Sequence, residues 1–194
     1  MNAYLLAGGR SRRMGRSKLD IPFGGSTFLR IVAVAAGPVF DAVMAVQRAD
    51  GAAVADVKTI FETPHDEAAP IFGVERALQD ARGKCFVLAV DYPLLTSGVL
   101  RYLRDRFEVS DARMLVPIWR KRAQMLCAGY SRDLLPLIRA RIDGRRFDLR
   151  GLIEEAGAEI IDEKDLRTRF DGEPLINVNT PEELEEAETL YARS

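Results

Sequence analysis

Two short stretches of this chain hold residue types in an order suited to phosphate chemistry. The first is Leu5-Leu6-Ala7-Gly8-Gly9-Arg10-Ser11-Arg12-Arg13-Met14-Gly15-Arg16-Ser17-Lys18. An apolar run stops at a glycine pair, and five cations (Arg10, Arg12, Arg13, Arg16 and Lys18) then fall within nine residues. Gly8, Gly9 and Gly15 disfavour a regular helix and let the backbone approach a ligand. Successive amide N–H groups in such a loop form a concave anion site. Cations this dense repel one another unless an anion screens them, so a polyphosphate would turn repulsion into binding. A solvated basic loop after an edge strand is the plainer alternative. The spacing is neither that of a P-loop nor that of the dinucleotide fingerprint. The second stretch is Cys85-Phe86-Val87-Leu88-Ala89-Val90-Asp91. A carboxylate directly after six apolar residues sits at the carboxyl end of a strand, where a hard oxygen ligand suits Mg²⁺. The same aspartate could instead cap the next helix or shape a turn.

The elements that must position these groups follow from hydrophobic patterning. Asn2 to Ala7 reads as a buried strand and residues 8–18 as the loop. Leu19 to Gly25 is a short extended segment and turn, signalled by its glycine pair. Ser26 or Thr27 caps a buried helix to about Ala36, which Gly37-Pro38 stops. Strands are expected at Val39 to Val46 and Val57 to Phe61. Thr63 to Pro70 is a loop, and Ile71 to Ala81 an amphipathic helix ended by Gly83. The unbroken apolar run 85–90 implies a central strand buried on both faces. Thr96 or Ser97 caps a helix to about Phe107. Met114 to Trp119 and Ala123 to Tyr130 form a hairpin around Arg120-Lys121-Arg122. Helices at 131–140 and 149–156, a strand at 158–162 and an extended edge at 173–177 follow. Thr180-Pro181-Glu182-Glu183 reads as a capping box opening a last helix to about Ala192.

Strands alternating with helices to about residue 110 argue for a three-layer α/β/α, Rossmann-like fold with a mostly parallel sheet, made mixed by the hairpin. Ligands of such folds bind beyond the carboxyl ends of the strands. The 8–18 loop, the loop around Asp66 and the Asp91 turn all belong to that edge. At 194 residues the chain is expected to be one domain over 1–194, and 47% hydrophobic residues suffice for a core. A net charge of −1 gives no general pull toward nucleic acid or a membrane. No apolar run approaches the ~20 residues of a membrane span. A first strand beginning at about residue 3 leaves no room for a signal peptide. Cys85 and Cys127, both in apolar runs, read as reduced core thiols of a cytoplasmic protein.

The pattern Leu6-Ala7-Gly8-Gly9-x-Ser11-x-Arg13-Met14-Gly15-x-x-Lys18 resembles the signature of the molybdenum cofactor guanylyltransferase family of nucleotidyltransferases. The resemblance continues through Gly24 or Gly25 and Leu29, and returns at Asp91 and Asn177-Val178-Asn179-Thr180-Pro181. It implies a fold of the nucleotide-diphospho-sugar transferase type. It also implies transfer of GMP from GTP to the phosphate of molybdopterin with release of pyrophosphate. Under that resemblance Leu6, Ala7, Gly8, Gly9, Lys18, Asp66 and Asp91 bind nucleotide. Asp91 carries Mg²⁺, and Arg13, Lys18 and Asp91 are catalytic. Arg146, Asn177 and Asn179 lie toward the acceptor, and molybdoenzymes or cofactor-insertion proteins are possible partners. Asp66 could equally be a solvated loop acid, Asn179 a turn residue, and Arg145-Arg146 an exposed pair. An ionised acceptor phosphate needs no general base, so His65 need not be catalytic. Three departures bear on the base and the acceptor. Phe72 stands where a small residue is usual, no asparagine follows Ala45-Val46-Gln47, and the hairpin reads Gln124-Met125-Leu126. They leave open the same chemistry with CTP or another nucleoside triphosphate, on molybdopterin or a small phosphorylated metabolite. A binding module that has lost activity is the third reading, against which the intact glycine pair, Lys18 and Asp91 argue.

Overall fold

In the computed structural model residues 1–8 and 21–193 are described. Strand β1 (Asn2–Leu6) pairs in parallel with β4 (Val43–Gln47) on one side and β6 (Lys84–Ala89) on the other. Beyond β4 lies β5 (Lys58–Phe61), also parallel. Beyond β6 lie β9 (Cys127–Ser131), β7 (Met114–Trp119) and β10 (Glu159–Ile161). Among the described strands of this sheet, only β9 and the short β8 (Arg122–Ala123) run against the rest. The sheet is therefore mixed and mostly parallel, as the element order implied. A two-stranded ribbon of β2 (Pro22–Phe23) and β3 (Ser26–Thr27) stands apart from it.

Alternate residues of the strands feed two cores. Ala3, Leu5, Phe86 and Leu88 face helices α1 (Phe28–Ala36) and α3 (Ser97–Val109). Tyr4, Met44, Cys85 and Val87 face α2 (Pro70–Asp80), α4 (Leu135–Asp143) and α5 (Leu152–Ala156). That division is the three-layer arrangement. Every residue of β6 after Lys84 is buried, which fits the unbroken apolar run. Lys84 itself extends beneath α3, where its ammonium donates to the Phe107 carbonyl at 2.7 Å and satisfies a helix-end acceptor. The last helix, α7 (Pro181–Tyr191), opens on the expected capping box between Thr180 and Glu183.

The differences from expectation have local causes. Residues 39–42 do not join β4. Val39 and Phe40 bond back to the Ala36 carbonyl as a turn after α1 and bury their side chains there. The second hairpin strand is interrupted, because Gln124 turns inward and its amide donates to the Trp119 and Arg122 carbonyls. Arg120 and Lys121, at φ 47° and 60°, make the tight reversal before it. The helix expected from Ser131 starts as a 3-10 turn (Arg132–Leu134), and α4 proper follows with Pro136 in its first turn. Helix α6 (Glu163–Arg169) was not evident in the pattern, since Leu166 is its one buried residue. Residues 173–177 form no strand.

Gly129 of β9 sits opposite Phe86 and Leu115. A Cβ there would come within 2.8 Å of Phe107 Cγ, and closer still to its Cδ1. Gly129→Ala should therefore cost about 1–3 kcal/mol by overpacking. A thermal melt equal to that of the native protein would show that Phe107 can move aside.

Candidate active site

The sheet has its switch point at β1. From β1 the chain passes along α1 to β4 and on to β5, then returns over the opposite face along α2 to β6. Ligands of open α/β sheets bind in the crevice this reversal opens at the strands' carboxyl ends. Leu6 is paired with Ala89. Gly8 and Asp91 each lie two residues further on, so they flank the crevice from the two central strands. Gly9, Arg13 and Lys18, with the other cations of the basic loop, lie outside the described residues.

Gly8 is required sterically. A Cβ on it would come within 2.7 Å of Arg48 Cγ and 3.0 Å of the Arg48 backbone nitrogen. Gln47, at the end of β4, is buried, and its Oε1 accepts from the Arg48 N–H at 3.1 Å. Its Oε1 would lie 3.2 Å from a Cβ on Gly8, so the amide stands beside that residue. Across the crevice Gly73 packs so closely that a Cβ on it would meet Leu6 Cδ2 at 2.8 Å and Glu62 Oε1 at 3.1 Å.

Glu62 was not among the residues singled out in the sequence. It follows β5 as Asp91 follows β6, and that parallel is the signal that could have found it. Burial holds its carboxyl above the ordinary value of 4.5, Arg48 pulls the other way, and Asp50 adds to the rise. Glu62, Arg48, Asp50 and His65 line a cavity of about 130 Å³ at the β4–β5 side of the crevice. Asp66 lies in the same loop but is exposed. His65 stacks on Phe72 with centroids 3.8 Å apart, and Phe72 meets Phe147 at 5.3 Å.

Asp91 is half-buried, and its carbonyl accepts from Val178 N–H at 3.0 Å. This bond draws the Asn177–Asn179 segment to the end of β6. Asn177 and Asn179 line a second cavity, of about 310 Å³, with Trp119, Arg122 and Gln124. The Asn179 backbone N–H donates to Glu183 at 2.6 Å, so this residue also belongs to the start of α7. The Tyr92 hydroxyl donates to Gln124 at 3.2 Å. Burial first, and the neighbouring Asp91 charge second, keep Tyr92 far from ionising. Burial likewise pushes the Cys85 thiol up to about 12 and raises that of Cys127, so both are unreactive core groups.

Arg145 and Arg146 occupy the loop between α4 and α5, with Arg145 at φ 54°. Arg145 pairs with Glu67, and Arg146 with Glu155 at 3.0 Å. The buried Arg141 holds the same Glu155 at 2.6 Å and Asp148 at 2.8 Å. No group of three or more His, Cys, Asp or Glu able to hold a metal occurs among the described residues. Asp91 offers one hard oxygen donor group at the end of β6. This donor set fits Mg²⁺, which commonly takes one or two carboxylates and completes its shell with water and substrate phosphates.

The profile of the MobA-like NTP transferase domain matches residues 3–160. A probable molybdenum cofactor guanylyltransferase of Carboxydothermus hydrogenoformans is 25% identical, over 99% of this chain and 97% of that protein. Among solved structures, molybdopterin-guanine dinucleotide biosynthesis protein A of Archaeoglobus fulgidus superposes with TM-score 0.85 at 24% identity over 100% of both chains. A Mycobacterium tuberculosis protein solved as a complex with manganese superposes with TM-score 0.66 at 16% identity over 97% of each chain. The two superpositions are likenesses of fold. No described helix is long and apolar enough to cross a membrane.

The environment of Glu62 makes a pH-dependent prediction. A carboxyl raised in the folded state favours folding while protonated, and that contribution is lost as pH climbs from the ordinary value through the raised one. Glu62→Gln should match the native melting temperature at about pH 4 and exceed it at about pH 8, modestly, because the group is half exposed. A difference that stays constant with pH would mean that Glu62 is as well solvated folded as unfolded.

Proposed function

The chain belongs to the MobA-like NTP transferase family and is a nucleotidyltransferase, and from that premise we propose that it transfers GMP from GTP to the phosphate of molybdopterin, releasing pyrophosphate. The observation that carries this reading is the placement of Gly8 and Asp91 on either side of the β1–β6 crevice, between two polar cavities. One cavity suits a base, and the other suits an acceptor brought up to the same point.

An oxygen of the acceptor phosphate attacks the α-phosphorus of the nucleotide. A new P–O bond forms in line with the one that breaks, and its electron pair leaves on pyrophosphate. The acceptor oxygen is already ionised, so no side chain need remove a proton. The work of the protein is positioning and charge neutralisation. The amides near Gly8 and Gly9 hold the triphosphate, and Arg13 and Lys18 balance its charge. Asp91 holds Mg²⁺, which when bound supplies Lewis-acid polarisation of phosphate oxygens. Leu6, Ala7 and Asp66 complete the nucleotide side. The Glu62 carboxylate is placed to accept from a base that offers paired N–H donors, as guanine does. Arg146, Asn177 and Asn179 address the acceptor, and Arg146 must give up Glu155 to do so. Molybdoenzymes or cofactor-insertion proteins would receive the product. Two buried, unreactive thiols suit a reducing cytoplasm.

Incubation with GTP, Mg²⁺ and molybdopterin should yield the guanine dinucleotide, identified by mass. In a thermal-shift panel of GTP, CTP, ATP and UTP with Mg²⁺, GTP at about one hundred times its Kd should add about 2.7 kcal/mol of stability. Stabilisation by CTP alone would transfer the same chemistry to a cytidylyl donor and sink the guanylyl reading. Asp91→Asn should keep the fold and lose ~10²-fold or more of Mg²⁺-dependent pyrophosphate release. Unchanged turnover would remove Asp91 from the mechanism.

A further inference from the structure

The larger of the two site cavities, of about 310 Å³, is lined by four charged residues, Arg120, Arg122, Glu183 and Glu186. Three of them are already engaged. Arg120 donates to Glu173 and to Glu186, each at 2.7 Å. Glu183 accepts from the Asn179 and Thr180 backbone N–H groups at 2.6 and 3.2 Å, as part of the capping box of α7. Its charge is set against the donor end of a helix, where a carboxylate is stabilised. Arg122 has neither an ion pair nor a side-chain hydrogen bond among the described residues. Its neighbours show the opposite habit. Arg167 pairs with Glu163 at 2.8 Å and Glu173 at 3.2 Å, and Arg169 with Asp165 at 3.0 Å. Lys121, the remaining cation of the hairpin turn, does not line the cavity.

This guanidinium stands on a fixed base. Arg122 is paired with Trp119 across the β7–β8 ribbon. Its carbonyl accepts from the buried Gln124 side-chain amide at 3.1 Å, and the same amide holds the Trp119 carbonyl at 3.2 Å. Gln124 Oε1 in turn accepts from the Tyr92 hydroxyl at 3.2 Å, and Tyr92 directly follows Asp91. On the other wall the Val178 N–H bonds to the Asp91 carbonyl at 3.0 Å, between the two asparagines of the lining. Both walls of the cavity are thus tied to the end of β6, and an occupant that reaches Arg122 is held in register with that strand end.

We propose that Arg122 is a binding residue of this cavity and receives an oxyanion of its occupant, a phosphate monoester. The planar guanidinium fork matches two phosphate oxygens at once. The proposal rests on the reading above in taking that occupant to be the acceptor substrate. Arg146 must break its pair with Glu155 before it can meet an anion. Arg122 has no such pair to break, so it is the cation available to the incoming acceptor from the start.

Arg122→Gln should raise the KM for molybdopterin about tenfold, the scale of one hydrogen bond to a charged group, and leave the KM for the nucleoside triphosphate unchanged. Its melting temperature should equal that of the native protein, because the side chain holds no other part of the fold. Arg122→Lys, which keeps the charge and loses the fork, should fall between the two. An unchanged KM for molybdopterin overturns the proposal, and so do two KM values that rise together. A second readout needs neither substrate. In the native protein labelled with ¹⁵N-arginine, inorganic phosphate added at constant ionic strength should move the Arg122 Nε–H signal, identified by its loss in Arg122→Gln. A signal that stays in place overturns the proposal. If the native protein forms no dinucleotide from molybdopterin, the acceptor assignment falls, and the phosphate titration alone decides whether Arg122 binds an oxyanion.

Discussion

The parallel pairing of β1 with β6 is the constraint on which the site's geometry depends. Both strands are buried on both faces, and their alternate residues are committed to different cores. A slip of one residue would exchange those faces and move Asp91 about 3.3 Å along the crevice. The cost of unpacking Tyr4, Leu5, Phe86 and Val87 therefore holds Gly8 level with Asp91. Two further contacts fasten this edge from outside the sheet. Gly73 brings α2 down against Leu6 and Glu62, and Val178 bonds to the Asp91 carbonyl. The residues that would meet the nucleotide and those that would meet the acceptor thus share one rigid reference.

Charge is handled differently on the two sides. Near Gly8 a half-buried carboxylate is kept above its usual ionisation range, which leaves it ready to gain from a donor-bearing ligand. In and beside the loop between α4 and α5 the arginines are already paired with carboxylates. Arg141 is 2% exposed, and its two terminal nitrogens are paired with Asp148 and Glu155 while its Nε is left without a partner among the described residues. A buried guanidinium left unpaired would be strongly destabilising, so Arg141 holds Glu155 firmly. Arg146, exposed and sharing the same carboxylate, is the partner that can leave at little cost. The loop is thereby anchored by one arginine while the next remains available.

Much of this was legible in the chain. The glycine pair after an apolar run and the acid after Val90 marked the two central strand ends, because buried parallel strands show as unbroken apolar stretches. Thr180 to Glu183 announced α7 because capping is local chemistry. What stayed hidden depended on tertiary contact. Glu62 looks like any loop acid until Gly73 is packed against it. Tyr92 and Gln124 are thirty-two residues apart, and only the fold brings their side chains together. Helix α6 buries one leucine and left no periodic trace.

Phe72 shows how a departure from a family pattern can be absorbed. A large ring in place of a small residue suggests an obstructed base pocket. The ring is only 3% exposed, however, and lies in the core beneath His65 and beside Phe147. It is not itself part of the lining of the small cavity, which includes His65. The substitution thus acts through its neighbours. It gives His65 a flat apolar support, and through Phe147 it ties the loop after β5 to the loop carrying Arg145 and Arg146. Arg145 closes the same link by pairing with Glu67. The ring thus joins the loop after β5 to the loop between α4 and α5, and the polar groups that line the small cavity are those of Arg48, Asp50, Glu62, His65 and their loop neighbours.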